Sequence, residues 1–271
     1  FFADKSPKLG GFPATGDVNL VMLLVNYSDT ETTFLQSDFD QYMNMPGYDI
    51  YGSFKDFYLD ASYGQLNVAT TVSDWITVSN TREYFSTRSR QLVYEALIQA
   101  DATIDFSQFD NDADGYVDGI AVIHQGAGQE ASGDVTDIWS HSWNLSGMYT
   151  TEQLTFDGVI VDAYTIQPEI LSGSISTIGV MCHEFGHNMG APDYYDTDYE
   201  SCNDHEGSGV WDLMAGGSWN MSGKCPANHN IFTKYHYFNW FTPVIIEEPM
   251  ELSIENSYEN TITYIYNTET P

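Results

Sequence analysis

The segment from Ile178 to Asp193 limits what this chain can become more than any other stretch. His183 and His187 stand four residues apart, which on an α-helix is about 400° of rotation, so their imidazoles lie one turn apart on one face. Both can then reach a single zinc ion at about 2.0–2.1 Å. Ile178, Met181, Cys182, Phe185 and Met189 recur at spacings of three and four and form a second, apolar face. The segment must therefore be a helix that buries one side and presents two nitrogen ligands from another. Gly190 suits the left-handed residue that ends a helix, and Pro192 prevents its resumption. The bend carries Asp193 back toward the histidines as a third ligand, leaving one position of a tetrahedral ion open to water, as a catalytic rather than a structural site requires. Glu184, beside the first ligand, can take a proton from that water and pass it to a leaving amine. His205 and Glu206 are rival candidates for the third ligand.

A second motif lies at residues 110–118. Asp110, Asp112, Asp114 and Asp118 occupy loop positions 1, 3, 5 and 9, Gly115 sits at position 6, and Tyr116 at position 7 can offer its backbone carbonyl. This is the first part of a calcium loop of the EF-hand kind. Position 12 is Ala121, so a ligand must come from elsewhere, and the loop should feed a strand rather than a second helix. Without a cation, close carboxylate pairs would repel by about 1 kcal/mol each. A further acidic cluster, Asp196, Asp198, Glu200, Asp204 and Glu206, is a possible second calcium site that would brace the loop carrying Asp193.

The net charge of −31 argues against nucleic acid or an anionic membrane as partner. The longest unbroken apolar run, residues 20–25, falls far short of the about 20 residues a spanning helix needs. That run predicts a buried central strand over residues 18–26. Ser53 should cap a helix carrying Phe54, Phe57 and Tyr58, and strands should follow at 66–72, 120–123 and within 155–166. Helices are expected at 89–102, 178–189 and 226–238. From Met250 the period-two pattern of Leu252, Ile254, Ile262, Tyr264 and Tyr266 suggests a hairpin. His124 and His141 lie near glycine-rich and tryptophan-rich stretches and are candidates to line a cleft.

The stretch from His183 to Asp193, HEFGHNMGAPD, resembles the extended zinc motif of the metzincin metallopeptidases, in the version with aspartate as third ligand. Residues 194–197, 209–219, 62–66, 110–118 and 138–143 extend the likeness, so that residues 18–241 resemble the immune inhibitor A family of secreted bacterial metalloproteases. The resemblance implies an α+β, metzincin-like catalytic domain with a twisted mixed sheet, an active-site helix and a methionine turn. In that turn Met214 would be a hydrophobic floor under the histidines. It also implies a secreted zinc endopeptidase acting on protein or peptide substrates and made with an N-terminal propeptide; no clear propeptide is visible in this chain. Residues 1–245 would form the catalytic domain, with 1–17 as an N-terminal extension, and 246–271 would start a C-terminal β element. A monomer is expected. Where some metzincins place a tyrosine shortly after the turn methionine, this chain has Trp219, leaving Tyr194, Tyr195 and His229 as alternatives for steadying the oxyanion. Cys202 and Cys225 bracket Met214, and a disulfide between them would contribute about 3 kcal/mol through loop closure; Cys182 is expected as a buried thiol. Two other functions compete. One is a non-catalytic calcium-dependent adhesion or carbohydrate-binding module, which has no use for Glu184. The other is a zinc hydrolase of non-peptide amides.

Overall fold

The computed structural model describes residues 11–146, 154–197, 205–256 and 261–266. In chain order the elements begin with β1 (Gly16–Asn26), α1 (Gln36–Asn44), α2 (Phe54–Ala61), β2 (Leu66–Thr77), α3 (Arg82–Phe85), α4 (Ser89–Ala100) and β3 (Ile120–Ala127). They continue with α5 (Gln129–Ser132), β4 (His141–Asn144), β5 (Thr155–Phe156), β6 (Val159–Ile160), β7 (Ala163–Leu171) and β8 (Ser174–Ile175). The last are α6 (Ile178–Asn188), α7 (Ile231–His236), β9 (Val244–Ile246) and β10 (Tyr264–Tyr266).

The apolar run at residues 20–25 is fully buried in β1, as its composition requires. Successive side chains of a strand face opposite ways. Leu20, Met22 and Leu24 accordingly enter one apolar layer, and Val21, Leu23 and Val25 the other. Each such burial stabilises the fold by about 2 kcal/mol. A strand apolar on both faces needs cover on both, and the chain supplies it with helices on either side of a mixed sheet. The sheet order is β2-β1-β3-β7-β4; the first four strands are parallel, while β4 forms one edge antiparallel to β7.

On one face α4 contributes Leu92, Val93, Ala96 and Leu97. On the other lie α1, α2 and α6. Ser53 caps α2 reciprocally with Asp56: Asp56 N donates to Ser53 Oγ at 3.2 Å and Ser53 N to the Asp56 carboxylate at 2.9 Å. Tyr58 on α2 donates its hydroxyl to the Cys182 carbonyl at 2.6 Å, and its ring packs 4.9 Å from Phe185. The helix carrying the two histidines is thus clamped through its apolar face to the sheet's cover.

Two expectations are corrected. The helix expected at 226–238 is reduced to α7. Residues 227 and 228 spend their backbone groups on the 212–217 turn instead, with Ala227 N donating to Gly217 O at 2.9 Å and Leu213 N to Asn228 O at 3.2 Å. Asn230 then caps the shortened helix by accepting from Thr233 N. At the C-terminal end, Tyr264–Tyr266 pairs in parallel with Val244–Ile246 rather than forming a hairpin with residues near 252. The chain is a mixed α and β structure, and among the described residues no helix is long and apolar enough to cross a membrane.

Candidate active site

The helix α6 places His183 and His187 on one face with ring centroids 4.9 Å apart. Behind His187 the helix stops as anticipated: Gly190 adopts φ +96°, and the amides of Gly190 and Ala191 close on the His187 and Gly186 carbonyls. Asp193 returns to the pair, its Oδ1 lying 3.1 Å from His183 Nε2 and 3.4 Å from His187 Nε2. The far side of each ring is fixed as well. His183 Nδ1 lies 2.8 Å from the Leu213 carbonyl, and His187 Nδ1 lies 2.8 Å from the Ala191 carbonyl. A carbonyl only accepts, so each Nδ1 carries a proton, and a ring holding only that proton turns a bare Nε2 lone pair toward Asp193.

Three acceptor atoms therefore meet at one point, and Asp193 Oδ1 is buried without a hydrogen-bond partner. Acceptors crowded this way repel unless a cation sits among them, and two imidazoles with one carboxylate suit zinc. The donor set fits that ion. Without metal the groups share protons instead. Burial raises the Asp193 carboxyl, but its contacts with His183 and His187 outweigh this and hold it well below the usual carboxylate range. Burial lowers His183, yet Asp193 and Glu184 together bring it above its ordinary value.

Glu184 is buried and lines both lobes of a cleft, of about 520 and 780 Å³. Burial pushes its carboxyl up, opposed by the two neighbouring histidines. Met214 is fully buried beneath the helix. A Cβ on Gly186 would stand 2.7 Å from the Met214 sulfur, so the glycine inside the histidine motif permits this close approach. The turn is tied to the bend, because Tyr194 N donates to the Met214 carbonyl at 2.8 Å. Asp212 holds it from below by accepting from Met214 N at 2.9 Å.

The structure separates the remaining candidates. His205 and Glu206 line the smaller lobe but do not join the histidine pair. Asp196 lines it too, whereas Asp198, Glu200 and Asp204 lie outside the described residues, as does Cys202. Cys225 is an exposed free thiol, so the expected disulfide has no counterpart among the described residues, while Cys182 is buried as expected. Of the oxyanion candidates, Tyr195 lines both lobes. Tyr194 instead accepts from the Thr233 hydroxyl, and His229 is buried behind α6 among Tyr58, Phe238 and Trp240. His141 lines the larger lobe; His124 is buried in β3 away from it.

In the acidic loop, carboxylate oxygens of Asp110, Asp112, Asp114 and Asp118 lie within 4.8 Å of one another. Asp110 accepts from the Asp114 and Gly115 amides, and Asp114 from the Tyr116 amide. Asp118 is fully buried, with Oδ2 accepting from Asn111 and Oδ1 unpartnered. Burial pushes its carboxyl up to about 6.

The sequence model of the immune inhibitor A peptidase M6 catalytic domain matches residues 19–241. The chain belongs to that family. Among relatives, Immune inhibitor A of Bacillus thuringiensis subsp. alesti is 32% identical over 238 residues, which cover 72% of this chain and 34% of that protein. The pre-pro-metalloprotease PrtV of Vibrio cholerae serotype O1 is 30% identical over 201 residues, covering 62% of this chain and 21% of its own length. The chain thus spans about a third or less of these relatives. Within this M6 domain, the sequence motif found the histidine pair and the bend. It missed Glu130, which lines the cleft together with Glu184. Glu130 sits in a four-residue helix between glycines, with no periodicity to announce it.

Proposed function

We propose that this M6 domain is a secreted zinc-dependent endopeptidase, with His183, His187 and Asp193 as zinc ligands and Glu184 as general base and then acid. The observation that carries the reading is the meeting of two Nε2 lone pairs with the unpartnered Asp193 Oδ1 beside a cleft. Zinc held there supplies a Lewis acid that polarises a carbonyl oxygen and acidifies water. Glu184 takes the proton of the attacking water and delivers it to the departing amide nitrogen. Its burial favours the protonated form between these two transfers. The hydrogen bonds from Nδ1 to Leu213 and Ala191 keep both rings in the ligating tautomer. The edge strand β4 lines the larger lobe and is tied to α6 by the Ser142 hydroxyl on Asn188. An extended peptide can pair along it.

The 110–118 loop is assigned to a structural calcium held by Asp110, Asp112, Asp114, the Tyr116 carbonyl and Asp118, supported by the buried, unpartnered Asp118 Oδ1. The adhesion-module alternative is not favoured, since it gives Glu184 no role and the family is a peptidase family. Metal analysis of the purified protein, with casein hydrolysis measured with and without chelator, tests the reading. About one zinc per chain and chelator-sensitive cleavage are expected; a zinc-loaded protein that cleaves no peptide would overturn it.

A further inference from the structure

The smaller lobe of the cleft, about 520 Å³, begins at His183 and Glu184 and is walled by the apolar side chains of Trp139, Val180, Val210 and Trp219. Besides Glu184, three further carboxylate residues, Glu130, Asp196 and Glu206, line the lobe, and Glu130 stands on the side of Trp139 and Ser140. Glu130 accepts from the Ser140 hydroxyl at 2.5 Å and from the Ser140 amide at 3.2 Å. Its carboxylate also folds back over Gly128, where a Cβ would stand only 2.5 Å from Oε1. The group is therefore held in one pose, and it makes no ion pair among the described residues. Behind it lies a second, very small cavity that shares Glu130, Val180 and Trp219 with the lobe and is also lined by Gln167. Gln167 is 2% exposed, and neither its amide oxygen nor its amide nitrogen has a partner.

A lobe with an apolar wall and carboxylates, Glu130 among them held fixed, and with an unsatisfied amide in the small cavity behind it, suits one kind of side chain. Its stem must be aliphatic and its end a cation with several hydrogen-bond donors. A purely apolar occupant would strip water from Glu130 and leave it unpaired, which is costly. The chain's overall charge of −31 further draws cations to the cleft.

We propose that this lobe receives a lysine or arginine side chain next to the scissile bond of the substrate, with Glu130 as the specificity-determining carboxylate. The proposal deepens the peptidase reading and rests on it for the position of the cleaved bond. The test uses the zinc-loaded protein and paired peptides that differ only in arginine against citrulline, which keeps the shape and removes the charge. Wild-type cleavage of a mixed peptide pool, mapped by mass spectrometry, should place a basic residue on one side of the cut bonds. Glu130→Gln should lower kcat/KM for the arginine peptide on the order of a hundredfold and leave the citrulline peptide nearly unchanged. Cut sites without basic enrichment, or an arginine preference that survives in Glu130→Gln, would overturn the proposal. A binding arm separates this from failure of the peptidase reading. Glu184→Gln protein, titrated calorimetrically with both peptides, should favour arginine, and adding Glu130→Gln should erase the difference. If wild type cleaves nothing but this binding preference holds, the peptidase reading fails and the basic pocket stands; equal binding of both peptides removes the pocket as well.

Discussion

Two groups of ligand atoms among the described residues invite a cation, and they are built in opposite ways. The 110–118 loop draws its four carboxylates from nine consecutive residues and satisfies them largely with its own amides. It is anchored to β1 by Asn111, whose side chain exchanges hydrogen bonds with the backbone of Asn19, and to β6 by Gly115 and Val117, which pair with the backbone of Ile160. The histidine site is assembled from α6, the bend at Gly190 and the Leu213 carbonyl thirty residues onward. Their carboxyls also differ, since burial drives Asp118 up to about 6 while the histidines hold Asp193 down. A site that only braces the chain can close on itself. One that must admit a substrate has to leave a side open, so its ligands are steadied from behind by distant segments.

The largest effect that sharpens this contrast is on chemistry alone. Glu184→Gln should lower peptide hydrolysis by about a thousandfold, a loss of general acid–base assistance, while zinc content and melting temperature stay as in wild type. Loss of zinc in that variant would mean that Glu184 helps hold the metal, and the division of labour would fail. Next in size is the brace. In protein freed of calcium, adding the ion at a hundred times its Kd should stabilise the fold by about 2.7 kcal/mol, raising Tm by several degrees. Asp112→Asn together with Asp114→Asn should abolish that rise without changing zinc stoichiometry.

The degree to which each region was legible in the sequence follows from the same difference. Local rules carry local structure: the buried strand at 20–25, the Ser53 cap and the histidine spacing all appear where periodicity and capping placed them. The bend was legible because glycine and proline act on their own neighbours. What sequence could not show depends on long-range packing. Residues 226–229 carried a helical expectation until the 212–217 turn claimed backbone groups of Ala227 and Asn228, and β10 found its partner at Val244–Ile246, about eight residues before the expected one. Glu130 of α5 and Gln167 of β7 line one small cavity together with Val180 and Met181 of α6, a juxtaposition that no short pattern records.

Acid should weaken the fold through β3, the strand that leaves the carboxylate loop. His124 is buried with Nε2 unpartnered, and burial, helped by His141 and Arg82, lowers its pKa to about 4. Above the unfolded value of about 6.5 both states are neutral and nothing is lost. Between about 6.5 and 4 the unfolded chain takes a proton that the folded chain refuses, so stability falls, by about 3 kcal/mol in total. His124→Gln should flatten this slope by nearly one proton in denaturant unfolding measured across that range. An unchanged slope would mean that His124 is not the group through which acid weakens the fold.

The smallest effect tests whether the histidine site truly depends on what lies behind it. Gly186→Ala would place a methyl 2.7 Å from the Met214 sulfur and 3.0 Å from the His229 ring, both deeply buried and unable to retreat far. Overpacking of this kind costs about 2 kcal/mol. The strain falls between the two histidines, so zinc affinity and hydrolysis should drop along with Tm. The calcium-induced rise in Tm should survive undiminished, because the loop at 110–118 is held by its own amides, by Asn19 and by Ile160, and not by α6. If Gly186→Ala removed that rise as well, the two sites would be coupled through the sheet, and the contrast between a self-contained brace and a remotely supported catalytic centre would have to be given up.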